Sequence, residues 1–251
     1  MTADWTPLDA ELRLWQAAGL TLPLWWRDDD ATAATPALDR LAQLSEAVDL
    51  PVHLAVIPKT AEEELAGALP DHLIPVVHGW AHENHAPAGE KKAEFGAHRP
   101  LVPMRADADA GLARLTELFG TRLAPMFVPS WNRIDPALPA SLSALGYCWL
   151  STFTPRQQPE AAPGLIHVNT HLDPIDWKGG GGVVDPDRLI AQVAGQLADR
   201  REGLADRDEP YGVLTHHLVH DAAIWEFAEQ LLNRLRAGPT RPWTALKGVY
   251  R

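Results

Sequence analysis

Strand-like and helix-like segments alternate from one end of the chain to the other, and no other feature limits the fold as tightly. Residues 7–18 read as an amphipathic helix with Leu8, Leu12, Leu14 and Trp15 on its apolar side. Leu22 to Trp26 reads as a strand that stops at Arg27-Asp28-Asp29-Asp30. Thr35 as an N-cap, with Pro36 behind it, opens a helix through Val48. Val52 to Ile57 is the next strand, closed by Pro58. Helices over 60–69, 105–119, 136–145, 185–201 and 224–236 continue the pattern, with strands over 73–77, 126–128, 147–152, 165–168 and 211–215. Seven strands with helices between them predict a parallel sheet that closes, or nearly closes, into a barrel. An open doubly wound sheet is the other arrangement that such alternation allows. The Gly-x-Gly-x-x-Gly that would follow the first strand of a dinucleotide-binding unit is missing, which argues against a nicotinamide enzyme. No linker or break in composition divides the 251 residues, so one domain spanning 1–251 is expected.

Charge excludes some functions. Lys and Arg number 22 against 33 Asp and Glu, a net charge of −11. An acidic chain repels phosphate backbones and anionic membrane surfaces, so neither nucleic acid nor membrane is an expected partner. No apolar run approaches the length of a membrane span. The N-terminus shows no basic segment followed by an apolar one, so the expected location is the cytoplasm. The single cysteine, Cys148, sits in an apolar strand and reads as a small core residue. Oligomeric state is not legible.

The polar residues that carry chemistry collect after predicted strands, where parallel α/β folds place their active sites. Arg27 to Asp30 follow the first strand, His78, His82 and His85 the third, and Trp131, Asn132 and Arg133 the fourth. His171, Asp173 and Asp176 follow the sixth, and His216 and His217 the last. Three adjacent carboxylates repel one another, and a cation relieves that cost. Read singly, Asp28-Asp29-Asp30 is equally a solvated turn, His216-His217 is equally a satisfied strand end, and His78 and His82 are more simply two unrelated histidines. Together, two histidines four residues apart and an Asp from another strand end make a facial set that leaves room for water and substrate. Residues 84–103, irregular and rich in Pro and Gly, and the run Gly179 to Gly182 are expected at the rim of the cleft.

The order of these pieces resembles the polysaccharide deacetylases, also called the NodB-homology or carbohydrate esterase family 4 proteins. The resemblance covers roughly residues 22–217 and rests on Arg27-Asp28-Asp29-Asp30, His78 to His82, Val128-Pro129-Ser130-Trp131, Asp173 to Trp177, and Leu214-Thr215-His216. It implies a distorted (β/α)7 TIM-like barrel. It implies one divalent cation held by Asp30, His78 and His82, with zinc expected because no thiolate is present and imidazole and carboxylate set the preference. It implies Asp29 as general base, Trp131 as the residue whose backbone N–H holds the oxyanion, His216 as general acid and Asp176 as the carboxylate that orients it. The other register of the acidic run makes Asp28 the base and Asp29 the ligand. The family's third motif begins with an Arg that steadies the base. Here that place is Phe127 or Val128, and Arg133 or Arg27 is left to do its work. His85, His171, Asp173 and His217 are further candidates for the cleft.

The chemistry implied is hydrolysis of a non-peptide C–N bond. The substrate is expected to be an N-acetylated amino sugar or, alternatively, a small cyclic amide or ureide. A catalytically silent module that keeps the cleft and binds glycan or metal is the reading from a different class.

Overall fold

The computed structural model describes residues 3–245. The elements run α1 (Thr6–Ala17), β1 (Leu22–Ala31), α2 (Pro36–Ala47), β2 (Val52–Val56), α3 (Glu63–Ala68), β3 (Leu73–His78), α4 (Leu101–Phe119) and β4 (Met126–Val128). They continue as α5 (Pro139–Leu145), β5 (Trp149–Leu150), β6 (Glu160–Ala162), β7 (Leu165–His167), α6 (Pro186–Glu202), β8 (Tyr211–Thr215), α7 (Ala222–Ala237) and β9 (Thr240–Pro242). Local chemistry sets several helix starts. The side chains of Thr35, Asp185 and Asp221 accept hydrogen bonds from the backbone N–H groups of Leu38, Arg188 and Ile224, satisfying donors that a helix end leaves free.

One sheet carries all the strands, in the order β6-β7-β5-β4-β3-β2-β1-β8, with β9 on β1. Every pairing is parallel except β6 with β7. The sheet curls into a distorted half-barrel. Its two sides approach where the chain after β7 meets β8: His171 N–H donates to the Gly212 carbonyl at 2.7 Å, and Leu214 N–H to that of Leu172 at 2.8 Å. The two strands that the sequence places after α5 with no helix between them are β5 and β7, and a further short strand, β6, lies between them in the chain.

Side chains alternate across each strand, and the two faces bury different things. Leu24 and Trp26 of β1, Leu54 of β2, Val77 of β3, Phe127 of β4 and Val213 of β8 point outward into the core shared with the helices. Trp25, Ala55, Val76, Met126, Val128, Trp149 and Trp243 fill the inside of the curl. Most of the Trp are thus core, and the inner ones form a plug below the polar end of the strands. His53 belongs to the plug, 5.2 Å from the ring of Trp25. It accepts from Ala245 N–H on Nε2 and lies 3.2 Å from the Trp26 carbonyl through Nδ1. Burial pushes its pKa down to about 4, so it is a neutral core imidazole.

The first strand is longer than its apolar run. It continues through the acidic residues to Ala31, with a register shift against β2 between Asp28 and Ala31. Charged residues therefore lie on a strand paired on both sides, by β2 and by β8. Among the described residues, no helix is long and apolar enough to cross a membrane.

Closure of the curl requires Gly212. A Cβ there would lie 2.4 Å from Trp25 Nε1, 2.7 Å from the Asn169 carbonyl oxygen and 2.8 Å from Thr170 Cα, and two of these three are backbone atoms that cannot step aside. Gly212→Ala is expected to lower stability by about 1–3 kcal/mol through overpacking. Urea unfolding checks this: the midpoint should fall while the slope stays the same.

Candidate active site

The site lies at the C-terminal ends of β1, β3, β4 and β8, and β1 supplies its charged centre. Arg27 and Asp29 are two residues apart on a strand and share its inner face. Arg27 is fully buried and Asp29 is 2% exposed. The guanidinium grips the carboxylate with two hydrogen bonds, Nε to Oδ1 at 2.8 Å and Nη2 to Oδ2 at 3.0 Å. Its remaining donors reach Ser151 Oγ at 2.7 Å, the Thr152 carbonyl at 3.2 Å and Asn132 Oδ1 at 2.6 Å. A buried ion pair of this kind survives only if its leftover donors are satisfied, and here they are.

Asp28 faces the other way. Its Oδ2 accepts from Thr215 Oγ1 at 2.6 Å and from His217 N–H at 3.0 Å, and its Oδ1 lies 2.5 Å from His217 Nδ1. Trp26 Nε1 donates in turn to Thr215 Oγ1 at 2.8 Å. Burial works against the charge on Asp28, but the charge and hydrogen bond of His217, and the hydroxyl of Thr215, outweigh it and lower the pKa. His217 is shifted the opposite way: burial favours the neutral ring, and Asp28 overrides it. Both side chains sit outside the cleft, so Asp28 is not positioned as a base and His217 is not a cleft residue.

Asp30 would follow Asp28 outward, but its backbone takes a left-handed conformation, φ 77°, and its carboxylate turns to the cleft. There Oδ1 stands 3.0 Å from His78 Nε2 and 3.3 Å from His82 Nε2. Asp30, His78 and His82 each offer one ligand atom, and all three atoms lie within 4.8 Å of one another. Nδ1 of His78 is 3.0 Å from the Val128 carbonyl oxygen and must donate its hydrogen there. A neutral His78 therefore presents a lone pair to a carboxylate oxygen, and two acceptors at 3.0 Å call for a proton or a cation between them. The donor set suits a divalent cation. Burial raises the Asp30 pKa, but His78 by hydrogen bond and charge, then His216 and His82, more than offset it and hold the group far below the carboxylate range. Burial favours neutral His78, yet Asp30 and Asp29 raise its pKa. At His82, burial and the neighbouring His78 lower it.

Across the cleft, His216 is 9% exposed and its ring meets that of Trp177 edge-on, 4.9 Å between centroids. The carboxylate that faces it is Asp173, not Asp176. Asp173 accepts from Trp177 Nε1 at 2.8 Å and Ile175 N–H at 3.0 Å. Burial raises its pKa, the charge of His216 opposes that rise, and the charge of Asp29 adds to it. Asp176 instead closes the glycine turn: its Oδ1 accepts from Lys178 and Gly179 N–H at 3.2 and 2.8 Å, and its own N–H donates to Gly182. The expectation that Asp176 orients His216 is corrected on this geometry, since that carboxylate is spent on the turn.

The other candidates are placed as follows. Arg133 is turned away and donates to the Lys92 carbonyl, so Arg27 alone clamps Asp29. Trp131 has a left-handed backbone, φ 57°, and its ring packs on His82 at 4.2 Å. His171 is buried far from the trio, paired with Glu209 at 3.1 Å and Arg200 at 2.7 Å while accepting from Gly212 N–H. It is a structural link of α6 to β8. His85 is exposed and joins none of the site's hydrogen bonds. The loop after His82 borders the cleft through Lys92, whose ammonium lies 5.9 Å from the Trp131 ring, and the glycine turn borders it through Trp177. Residues 101–103, read as loop, belong to α4.

Comparison of the sequence with protein-family models and with curated proteins finds no match. Solved structures do match. A family 4 carbohydrate esterase from Streptomyces lividans, in complex with acetate, aligns over 89% of this chain and 92% of its own at 12% identity, with a TM-score of 0.55. A peptidoglycan N-acetylglucosamine deacetylase aligns over 89% of this chain and 86% of its own at 15% identity, with a TM-score of 0.54. The fold is that of carbohydrate esterase family 4. The matches also include a mutant of a family 4 pseudoenzyme with restored enzymatic activity, at 12% identity, a TM-score of 0.54, and 88% of this chain against 65% of that one. The esterase-family fold therefore does not by itself carry activity, and the residues in the cleft must be weighed on their own.

Sequence reading placed Asn132 at a strand end, where it accepts from Arg27, and missed three residues of the site. Ser151 and Thr215 complete the shells of Arg27 and Asp28, and Glu94 holds the turn between His78 and His82. Of these three, Thr215 carried a signal, as a polar residue within a recognised motif.

The Asp28–His217 pair predicts a pH signature. The depressed Asp28 contributes stability present above its ordinary 3.8, lost as pH falls through the lower folded value. The raised His217 contributes stability present below its ordinary 6.5, lost as pH rises through the higher folded value. Asp28→Asn should thus cost most between those two pH values, on the order of 3 kcal/mol for breaking a buried pair, and less on either side. Denaturant unfolding of both proteins across pH 3–9 measures it; a difference independent of pH would refute the ion pair.

Proposed function

We propose that the chain is a divalent-cation-dependent hydrolase that removes an acetyl group from the nitrogen of an amino sugar, with zinc as the cation. One observation carries this reading: the Asp30–His78–His82 cluster lies beside a second carboxylate, Asp29, that has its own bidentate guanidinium clamp. A pseudoenzyme has no use for a base held so rigidly. The similar proteins support the substrate class, one being solved with acetate and another named as a peptidoglycan N-acetylglucosamine deacetylase.

Asp30, His78 and His82 would hold the cation, which when bound supplies Lewis acidity and a water of lowered pKa. Asp29 accepts the proton of the attacking water. Arg27 occupies one lone pair on each of its oxygens, leaving others free to accept while fixing the plane of the carboxylate. The backbone N–H of Trp131 steadies the oxyanion. His216, faced by Asp173, gives its proton to the departing amine. Trp131 and Trp177, the latter 55% exposed, offer two aromatic faces for a sugar ring. The cation trio is open to solvent, with Asp30 and His82 side chains 32% and 24% exposed, which suits a polymer or oligosaccharide end better than a closed pocket for a small cyclic amide.

Variants separate these roles. Asp29→Asn and His216→Ala should each lower turnover by ~10²–10⁴ while the protein still binds zinc. Asp30→Asn should lose zinc altogether. Acetate release from N-acetylglucosamine oligomers, paired with elemental analysis of each variant, is the measurement. Zinc lost in Asp29→Asn but kept in Asp30→Asn would reverse the two roles. Hydrolysis of cyclic amides with none of acetylated sugars would overturn the substrate class.

A further inference from the structure

The loop between β3 and α4 contributes one buried carboxylate, Glu94, that the chemistry above does not use. Glu94 is 1% exposed. Its Oε1 accepts from Ala81 N–H at 2.7 Å, and its Oε2 accepts from Ser130 Oγ at 2.6 Å and from Trp80 N–H at 3.4 Å. These donors belong to two separate loops, the turn that joins His78 to His82 and the segment that carries Trp131. All of them are uncharged. Burying a carboxylate against neutral donors is costly, and the hydrogen bonds from both loops offset that cost.

Both loops are held in backbone conformations that L-residues avoid. Gly79 has φ 56° and His82 φ 55° in the first, and Trp131 has φ 57° and Asn132 φ 58° in the second. Such conformations persist only where the surroundings over-determine them. Glu94 touches both loops at that point. At Gly79 it comes so close that a Cβ would lie 2.4 Å from Glu94 Oε2 and 2.7 Å from Ser130 Oγ. The left-handed turn and the carboxylate therefore fit as a pair.

The two histidine ligands differ in what orients them. His78 has the Val128 carbonyl on Nδ1. His82 has no such partner among the described hydrogen bonds; its turn and the rings of Trp131, 4.2 Å away, and His78, 5.2 Å away, point its Nε2 at Asp30. Outer partners of this sort normally fix a ligating ring. We infer that Glu94 is the positioning residue for His82, acting through the backbone of the 79–82 turn and, through Ser130, on the Trp131 ring that packs against the same imidazole. The inference rests on the reading of Asp30, His78 and His82 as the cation site.

Zinc titration of the metal-stripped full chain by calorimetry tests it, alongside thermal unfolding without metal. Glu94→Ala should weaken zinc binding about 10–100-fold, the usual loss for an outer partner of a ligand. Glu94→Gln keeps an acceptor for Ala81 N–H and should restore most of the affinity. Ser130→Ala leaves the carboxylate in place, removes one donor, and should weaken binding in the same direction by less. A wild type that binds no zinc removes the site itself and this inference with it. Wild-type affinity in both Glu94→Ala and Ser130→Ala removes this inference alone, whatever their melting temperatures. Should Glu94→Ala fail to fold, Ser130→Ala and Glu94→Gln decide: undiminished affinity in the first, or affinity as weak as lost ligation in the second, overturns it.

Discussion

Four consecutive ionisable residues in a strand paired on both sides are expensive, and the architecture of the cleft follows from how β1 disposes of them. Arg27, Asp28 and Asp29 are all buried. A strand sends alternate side chains to opposite faces, so the run is split before any partner is found. Arg27 and Asp29 fall on the inner face and neutralise each other. Asp28 falls on the outer face and must find a cation there, which His217 becomes. Asp30 would be a second outward carboxylate. The left-handed step at that residue and the shift in register against β2 turn it inward instead. One irregular residue thus puts two carboxylates, Asp29 and Asp30, side by side on the same face, which a regular strand cannot do.

The same disposal of charge couples the strand to its neighbours. Asp28 binds both Thr215 and His217, the residues on either side of His216. With its flanks tied to the outer face, His216 itself is delivered to the inner one. Arg27 reaches across the cleft floor to Ser151, Thr152 and Asn132, which follow β5 and β4. His216, Asp29 and the loop bearing Trp131 are thereby referenced to a single strand. Each link is short and buried, where hydrogen bonds to charged groups are strongest.

Much of this was legible in the sequence, and the reasons for the rest are physical. The alternation of apolar runs located the strands and the face on which the site forms. The spacing of His78 and His82 and the presence of an acidic strand end pointed to the trio that the fold brings together. The register of Asp28, Asp29 and Asp30 could not be settled there, because it depends on where the strand ends. The apolar run stops at Trp26, whereas hydrogen-bonded pairing continues to Ala31, carried by ion pairs that no hydropathy pattern reveals. Asp176 misled because a motif places residues in order along the chain and not in space. An Asp-x-x-Asp spacing puts only one carboxylate against His216 once the other is needed to close a glycine turn. His171 and His217 misled for the opposite reason. Each is a buried imidazole paired with an acidic partner, Glu209 or Asp28, that is remote in sequence.

The clamp on Asp29 is the point at which this chain departs from the pattern it resembles, and the departure changes the mechanics of the site. An Arg brought from the third motif would connect the base to a different strand, and its grip would vary with any shift of that strand. Arg27 sits two residues from Asp29 on the same strand, so the spacing of guanidinium and carboxylate is set by strand geometry itself. The third motif keeps a share through Asn132, which accepts from the same guanidinium at 2.6 Å. The left-handed backbone of Trp131 and Asn132 is what lets that segment turn an amide to Arg27 and an indole to His82 at once. An arginine at the start of the motif would have to occupy space now filled by Phe127, packed at 5.0 Å from Phe95 and 5.3 Å from Tyr147, or by Val128 in the inner plug. Both positions are apolar and fully buried. Moving the guanidinium to β1 allows β4 to remain hydrophobic on both faces, and that is the physical reason the altered third motif is compatible with an intact base.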